Sequence, residues 1–378
     1  MIYLDNAATT PVRREVLEAM WPYLTGDFGN PSSHHEVGEA AARGLTAARE
    51  SLAASLGCRA SEIIFTAGGT EADNLAIKGI ALAAPRGRHV ITTAIEHEAV
   101  LESCDYLRRF HGFEIDFLPL DASGLVDADD IARLLRPDTT LVTVMHANNE
   151  IGTVQPIERI AELTRAAGVP FHADAVQSAG WLELGLRTLG VDALSISGHK
   201  LGAPKGIGAL AIRGAVALEP LVHGGGQERG RRSGTENVAG AVGLAAALRL
   251  SAHSREELAS VARIRDIVID GVLASVPEAF LTGSRESRLP SHASFCFPGT
   301  SGEAVLLELE RWGIVCSSGS ACAAGSDEPS HVLVALGIAP EVAKTAVRFT
   351  LDTTTTEADA GEVVARVTEA VATLRSHR

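Results

Sequence analysis

The residue of this sequence best suited to covalent chemistry is a lysine in a glycine-rich setting. Lys200 ends the run SISGHK at positions 195–200, and the segment after it, 201–210, is rich in glycine and mostly apolar. Most lysines are solvated surface residues, but that composition is not typical of a solvated face. A lysine that is partly removed from water becomes a better nucleophile and can form a Schiff base with an aldehyde. The pattern predicts a reactive amine at Lys200, with Ser197 and His199 near the phosphate of a bound cofactor.

A second candidate site is the pair of glycines that precedes Thr70. Gly68 and Gly69 follow the strand-like residues 63–66, and a helix is predicted to begin near Thr70. Glycines let a ligand approach the backbone closely, and the first turn of a helix presents free N–H groups and a positive dipole end, which together suit a phosphate. Thr70 and Asp73 equally fit a capping box, which would only start the helix. This segment alone does not separate the two interpretations.

Asp174 stands at the end of the apolar run 169–174. A buried carboxylate is costly unless it has a cationic partner. The protonated nitrogen of a pyridine ring would be such a partner, and keeping that proton makes the ring an electron sink. A lone aspartate at a strand–helix junction more often caps the helix. The two strand signals between Asp174 and Lys200 favour the functional interpretation.

His97 follows the predicted strand 89–94, and the polar group Asn148-Asn149-Glu150 follows the predicted strand 140–146. A lone histidine is more often structural or exposed than catalytic. At the carboxyl end of a strand, however, His97 is placed to stack on a flat cofactor and to exchange protons near neutral pH.

Cys322 lies in a run of small residues, SSGSACAAGS at 317–326. No bulky side chain anchors this segment, so its thiol is expected to be exposed and mobile. Most single cysteines are inert, packed side chains, and this is the expectation for the other four. They are Cys58, Cys104, Cys296 and Cys316. The odd number of cysteines and the lack of CxxC spacing argue against a disulfide framework and a zinc site.

The elements that must position these residues alternate between strands and helices from about residue 15 to residue 213. Helical periodicity lies between short apolar runs, for instance at 71–84 and 157–167. Such alternation implies a largely parallel sheet covered by helices on both faces, and ligands of such sheets gather where strands end. The predicted strands are 62–66, 89–94, 140–146, 169–174, 192–197 and 208–213.

The chain changes character after two long predicted helices, 238–250 and 255–273. Short strand-like runs separated by helices follow them, which suggests a smaller α+β domain. We therefore expect an α/β fold with two domains, a large one over residues 15–255 and a small one formed by residues 1–14 and 256–378.

Composition narrows the class of protein. With 33 basic and 47 acidic residues the formal net charge is −14, which disfavours a protein whose overall field holds nucleic acid or an anionic membrane. No signal peptide opens the sequence, and no apolar run is long enough to span a bilayer. The glycine-rich pieces 202–208 and 224–226 lack the GxGxxG spacing of a dinucleotide site. The expectation is a cytoplasmic enzyme with reduced thiols and no metal.

Taken in order, these motifs resemble those of the cysteine desulfurases, a group of class-V aminotransferase-type enzymes with the fold-type I pyridoxal-phosphate architecture. The resemblance covers nearly the whole chain, and the ordered series is highly specific although any one motif is weak. The segment SSGSAC at 317–322 is similar to that of the group whose nucleophile is carried on a mobile loop. The other matching segments are YLDNAATT at 3–10, GNPSS at 29–33, GTE at 69–71, EH at 96–97, NNEIG at 148–152, DAVQ at 174–177, SGHK at 197–200, RSGT at 232–235, EPSH at 328–331 and Arg348.

The resemblance implies roles for residues around the cofactor ring. Lys200 would hold pyridoxal 5′-phosphate and later move protons. Asp174 would pair with the ring nitrogen, Gln177 would bond the phenolic oxygen, and His97 would stack on the ring. Cys322 would be the nucleophile that takes the sulfur.

The resemblance also implies how the phosphate and the substrate are bound. Asn149 and Arg348 would hold the substrate carboxylate, a task suited to the forked donors of arginine. Thr235 would reach the phosphate of the neighbouring subunit, which implies a homodimer. The remaining phosphate-binding residues would be Gly69, Thr70, Ser197 and His199.

The implied reaction removes sulfur from L-cysteine, giving L-alanine and a persulfide on Cys322 that a sulfur-acceptor protein collects. The destination of the sulfur stays open among iron–sulfur clusters, tRNA thiolation, thiocofactors and DNA sulfur modification.

Two alternative functions remain. One is another lyase or transaminase of the same fold, such as a selenocysteine lyase, although transamination needs no thiol like Cys322. The other is a non-catalytic sulfur carrier or scaffold, against which Lys200, Asp174 and His97 count together.

Overall fold

Helices and strands alternate along the chain, as the sequence predicts. The computed structural model describes residues 1–83, 85–252, 255–318 and 328–376. Among the helices described there, none is both long and apolar enough to cross a membrane. In chain order the elements up to residue 212 are β1 (Ile2–Tyr3), α1 (Arg14–Thr25), α2 (Glu36–Ser55), β2 (Ile63–Thr66), α3 (Gly69–Ala83), β3 (His89–Thr93), α4 (Glu98–His111), β4 (Glu114–Leu118), α5 (Asp130–Leu134), β5 (Thr139–Thr143), α6 (Ile157–Ala166), β6 (Phe171–Asp174), β7 (Ala193–Ser197) and β8 (Gly208–Ile212). They continue with α7 (Val238–Leu250), α8 (Arg255–Ser275), β9 (Phe280–Leu281), β10 (His292–Cys296), α9 (Gly302–Arg311), β11 (Ile314–Val315), β12 (Ser317–Ser318), α10 (His331–Ala335), α11 (Pro340–Ala343), β13 (Ala346–Thr350) and α12 (Glu357–Ser376).

The central sheet is mostly parallel and is covered on both faces. Within the described ranges its seven strands follow the order β2-β8-β7-β6-β5-β3-β4, and the pairs are parallel except for the two made by β8. Successive strand residues point to opposite faces, so Val90 packs with residues of α3 and α4, whereas Ile91 packs with residues of α1, α2, α6 and α7. The predicted α/β fold, with helices on both faces of a mainly parallel sheet, is confirmed.

One strand of this sheet was not expected from the sequence. β4 pairs in parallel with β3 at the edge of the sheet and has exposed or half-buried side chains at four of its five positions. Its charged residues, Glu114 and Asp116, interrupt the apolar run that marks a buried strand. Charged residues are common on edge strands because they discourage pairing with a further chain.

A second core is built by the C-terminal part of the chain together with β1. The antiparallel strands β12, β13, β10 and β9 form one sheet in that order, and β1 pairs in parallel with β11. Phe295, Phe297 and Phe349 pack against residues of α8, α9 and α12. The division of the chain into domains at residue 255 stays a prediction.

Residues 4–10, here called the N-terminal segment, connect the two cores. The carbonyl oxygen of Leu4 accepts a hydrogen bond from Thr350 N (2.7 Å), and Ala7 N donates to Thr350 Oγ1 (2.9 Å). At its other end Thr10 N donates to the carbonyl oxygen of His199 (2.9 Å). The segment therefore joins the end of β13 to the loop after β7.

Candidate active site

The carboxyl ends of β6 and β7 place an acid and a lysine close together. Asp174 is the last residue of β6 and Ser197 the last of β7, and Asp174 lies opposite Ser195 in the parallel pair. A short 3₁₀ turn, Gly198–Lys200, then carries the lysine beyond the edge of the sheet. In open α/β sheets this edge is where ligands bind.

A cavity of about 270 Å³ opens at this edge, close to the lower limit of the usual size of small-molecule sites. A neighbouring cavity of about 340 Å³ shares Ala7, Gln177 and Lys200 with it but is not lined by the start of α3. The smaller cavity collects the chemically matched groups, so we take it as the candidate active site. The predicted site residues on its wall are Gly69, Thr70, His97, Asn149, Asp174, Gln177, Ser197, His199, Lys200 and Arg348.

The first turn of α3 forms one side of the cavity. A Cβ atom added to Gly69 would lie 2.8 Å from Cγ2 of Val176 and 3.3 Å from Cβ of Ser197, so glycine is needed for the helix to begin this close to the end of β7. The backbone N–H groups of a first helical turn have no partners within the helix, and they suit an anion such as a phosphate.

The start of α3 does not form the capping box that the sequence also allowed. Oε2 of Glu71 accepts a hydrogen bond from Ala67 N (2.6 Å), upstream of the helix. Asp73 is turned into the interior, where only 1% of its surface is exposed. Thr70 is exposed and lies on the cavity wall.

Two buried carboxyl groups, Asp73 and Asp174, form the inner wall. Burial raises the pKa of both, and for Asp73 the negative charge of Asp174 adds to the effect. Asp174 accepts a hydrogen bond from Val176 N (2.8 Å), whereas Oδ1 of Asp73 has no hydrogen-bond partner among the described residues. The nearest cationic candidate is His172, whose Nε2 lies 3.7 Å from that oxygen, and burial lowers its pKa to about 3. A cationic group that enters the cavity would offset the cost of burying these two carboxyl groups.

The amine of Lys200 is held at the cavity wall by the N-terminal segment. Its Nζ donates to the carbonyl oxygens of Ala7 and Ala8, the second at 2.7 Å. Gln177 Nε2 donates to the same oxygen of Ala7 at 3.0 Å. Sequence reasoning gave no role to Ala7 or Ala8, because their contribution comes from backbone atoms that any residue carries.

Each of the two histidines of the site has a hydrogen-bond partner at Nδ1. Nδ1 of His97 accepts a hydrogen bond from Ala99 N (3.0 Å) at the start of α4, which leaves the proton of the neutral ring on Nε2. Nδ1 of His199 lies 3.2 Å from Oγ1 of Thr9. Burial, together with the nearby charge of Lys200, lowers the pKa of His199 to about 4, so this ring is neutral at pH 7.

Arg348 on β13 forms the opposite wall beside Asn149. Nη1 of Arg348 donates to the carbonyl oxygen of Asn149 and Nη2 to Oδ1 of Asp5, both at 2.9 Å. Asn148 shapes the loop that carries Asn149, because its Oδ1 accepts from two following backbone N–H groups at 2.8 and 2.9 Å. Asp5 belongs to a segment that the sequence analysis matched, but its contact with the arginine was not expected.

Within the described part of the chain, one predicted site residue does not line this cavity. Thr235 is exposed and lines a separate cavity of about 130 Å³ beside Ala67 and Arg232. Cys322 lies outside the described residues. The four described cysteines are free, and burial raises the pKa of each of their thiols.

The profile of the family Aminotransferase class-V matches residues 2–363. Cysteine desulfurase IscS from Dictyoglomus turgidum is 45% identical over 382 residues, which cover 100% of this chain and 97% of that protein. This chain belongs to the cysteine desulfurases. Enzymes of this family use pyridoxal phosphate, and the family and enzyme class expected from the sequence are confirmed.

Solved structures share this fold. A NifS-like protein superposes with a TM-score of 0.91 at 37% identity, covering 99% of this chain and 100% of its own. SspA, solved in complex with cysteine, gives a TM-score of 0.82 at 39% identity over 93% of this chain and 99% of its own.

Proposed function

We propose that this cysteine desulfurase holds pyridoxal 5′-phosphate on Lys200 and transfers the sulfur of L-cysteine to Cys322. The observation that carries the proposal is the single cavity that brings together the Lys200 amine, the buried carboxyl group of Asp174 and the first turn of α3. These three groups are complementary to an aldehyde, a protonated ring nitrogen and a phosphate. When bound, pyridoxal phosphate supplies a ring that withdraws electrons from the substrate's α carbon.

The chemistry of the cavity wall fits this cofactor. The ring nitrogen would give Asp174 the cationic partner that a buried carboxylate needs. Gln177 would meet the phenolic oxygen, and His97 would stack on the ring. The phosphate would be bound by the backbone of Gly69 and by Thr70, Ser197 and His199.

Lys200 has a second task once its amine is free. The amine would move the substrate's α proton. To do so, the amine must keep a fixed position while it is not bonded to the cofactor. The carbonyl oxygens of Ala7 and Ala8 offer that place, since they accept hydrogen bonds from Nζ. A group held within hydrogen-bond reach transfers a proton more efficiently than one that must search for its position.

Arg348 and Asn149 would hold the substrate carboxylate. Arginine presents its donors in a fixed planar fork, which matches a carboxylate. Its Nε has no hydrogen-bond partner among the described residues, although the side chain is 1% exposed. An orphan donor in a buried cationic group is the kind of atom that a bound anion would satisfy.

Cys322 is the thiol that we assign to sulfur transfer. The thiolate is the reactive form of cysteine, and burial raises the pKa of Cys58 to about 11 and of Cys104 and Cys296 to about 12, with Cys316 higher still. These four thiols therefore stay protonated at neutral pH. Cysteine and the Cys322 thiol would give alanine and a Cys322 persulfide, in which the new sulfur–sulfur bond replaces the carbon–sulfur bond of the substrate.

The persulfide would then pass to a sulfur-acceptor protein, in iron–sulfur cluster assembly or another thiolation pathway.

Thr235 is exposed and away from the cavity, which fits a role at the phosphate of a second subunit in a homodimer. The free state of the described cysteines fits a reducing compartment, and we infer a cytoplasmic location from it.

Covalent attachment tests the proposal directly. The purified protein, loaded with pyridoxal phosphate, is reduced with borohydride, digested and analysed by mass spectrometry. We expect the pyridoxyl group on Lys200 in the wild type and no attachment in Lys200→Ala. Attachment to a different lysine, or none, would refute the assignment. Production of alanine and sulfide from L-cysteine, compared with selenocysteine as substrate, then tests the reaction itself.

A further inference from the structure

Arg348 and Asp5 form an ion pair at the wall of the active site. Nη2 of Arg348 lies 2.9 Å from Oδ1 of Asp5, and the two side chains are 1% and 19% exposed. Among the described residues the guanidinium makes a second hydrogen bond, in which Nη1 donates to the carbonyl oxygen of Asn149. Arginine has five N–H donors, so these two bonds leave the Nε–H and the remaining Nη donors for a ligand.

The backbone of Asp5 is paired with β13, the strand that carries Arg348. Its backbone pairs with Thr350, two residues beyond the arginine on β13. Its carbonyl oxygen accepts from Ala8 N (3.0 Å) and from the hydroxyl group of Tyr3 (3.2 Å). The backbone that carries the carboxylate is therefore fixed relative to the strand that carries the guanidinium.

We propose that Asp5 is a positioning residue that orients the guanidinium of Arg348 toward the carboxylate of the substrate. The inference rests on the proposed function, in which Arg348 binds that carboxylate. A planar guanidinium with bonds on two of its three nitrogen atoms cannot rotate, so its free donors keep one direction. Preorganised donors bind a carboxylate more tightly because no orientational freedom is lost on binding.

A competing explanation of the same contact is that Asp5 only neutralises a buried charge. The two roles predict different outcomes for Asp5→Glu. This variant keeps the negative charge but moves the acceptor by one methylene group, so it preserves neutralisation and disturbs orientation. Asp5→Asn does the reverse, because it removes the charge and keeps an acceptor oxygen at the same place.

The test measures equilibrium binding of two ligands to the cofactor-loaded enzyme through the change in its visible absorption. L-Alanine carries the carboxylate, and ethylamine is the same molecule without it. We expect Asp5→Ala to raise the dissociation constant of L-alanine about tenfold and Asp5→Glu to raise it severalfold, while Asp5→Asn stays within about threefold of the wild type. The dissociation constant of ethylamine should be unchanged in all three variants.

Arg348→Ala separates failure of this proposal from failure of the proposed function. If Arg348→Ala binds L-alanine as the wild type does, Arg348 does not bind the substrate carboxylate. The proposed role of Asp5, which is to orient Arg348 for that task, is then refuted as well. If Arg348→Ala weakens binding but Asp5→Ala and Asp5→Glu do not, only the positioning role is refuted. Equal weakening of L-alanine and ethylamine would also refute it, since general damage does not distinguish the ligands. In the Arg348→Ala background, Asp5→Ala should have no further effect.

Discussion

Nε of Arg232 lies 2.7 Å from Oε1 of Glu71, and Nη2 of the same arginine lies 3.2 Å from Oε2. Oε2 of Glu71 also accepts a hydrogen bond from Ala67 N, just before α3. One carboxylate therefore connects the turn that we assign to phosphate binding with the loop that carries Thr235. If Thr235 serves a second subunit, this ion pair links the two phosphate sites of a dimer.

Replacing Glu71 tests that connection. Glu71→Ala removes both the hydrogen bond from Ala67 N and the ion pair, and we expect the free energy of unfolding in urea to fall by about 1 kcal/mol, mostly from the hydrogen bond. The ion pair is partly exposed and adds little. Glu71→Gln keeps an acceptor oxygen for Ala67 N and should lose less than half as much. Equal losses in the two variants would contradict a stabilising role of this hydrogen bond.

Gly69 and Gly68 form a matched pair for testing the phosphate site. The added Cβ of Gly69→Ala would lie 2.8 Å from Cγ2 of Val176, which forces the first turn of α3 away from the end of β7. Gly68→Ala meets no atom of the described residues within 4 Å. We expect Gly69→Ala to raise the dissociation constant of pyridoxal phosphate about tenfold and Gly68→Ala to leave it unchanged. Reconstitution of the apoenzyme, followed by absorbance, measures both, and the same affinity in both variants would argue against the site.

Glu96 predicts a specific dependence of stability on pH. Burial raises the pKa of this carboxyl group to about 8, although Oε1 accepts from Thr93 Oγ1 (2.7 Å) and Met145 N (3.0 Å). The folded protein thus binds a proton that the unfolded chain releases above its ordinary pKa of about 4.5. The contribution to stability is complete below that value and is lost as the pH rises through about 8.

Glu96→Gln should therefore flatten the pH profile. We expect the melting temperature of the wild type to fall between pH 6 and pH 9 by several degrees more than that of Glu96→Gln, which cannot ionise at this position. Scanning calorimetry across that range measures the difference. Parallel profiles for the two proteins would show that Glu96 is not the group responsible.

The assignment of Cys322 can be tested against Cys316, six positions earlier. Cys322→Ala should keep the bound cofactor and still bind L-cysteine but lose production of alanine and sulfide. Cys316→Ala should keep turnover, because burial raises the pKa of the Cys316 thiol and leaves it protonated. Full turnover in Cys322→Ala, or loss of it in Cys316→Ala alone, would show that the nucleophile was chosen wrongly.

The edge of the sheet that carries the site could be predicted because each part of it has a local signature. Asp174 ends the apolar run that becomes β6, Lys200 follows the run that becomes β7, and strand ends of a parallel sheet meet at one edge. β4 could not be predicted in the same way, since an edge strand does not need a continuous apolar pattern.

Other features depend on contacts that no local pattern contains. Thr70 and Asp73 have the spacing of a capping box, yet packing turns Asp73 into the interior, and Glu71 instead bonds to Ala67 N before the helix. Asp5 and Arg348 are 343 positions apart, so no sequence pattern around either residue predicts their ion pair. The antiparallel orientation of β8 in a sheet that is otherwise mostly parallel likewise follows from the path of the whole chain.

The bonds between the N-terminal segment and β13 also set an order of events during synthesis. The ribosome makes Asp5 343 residues before Arg348. Domains fold as they emerge, and contacts of long sequence separation form late. We therefore expect nascent chains to assemble the lysine and the phosphate turn well before they can hold an amino acid by its carboxylate, so that the growing polypeptide acquires its cofactor site before its substrate site.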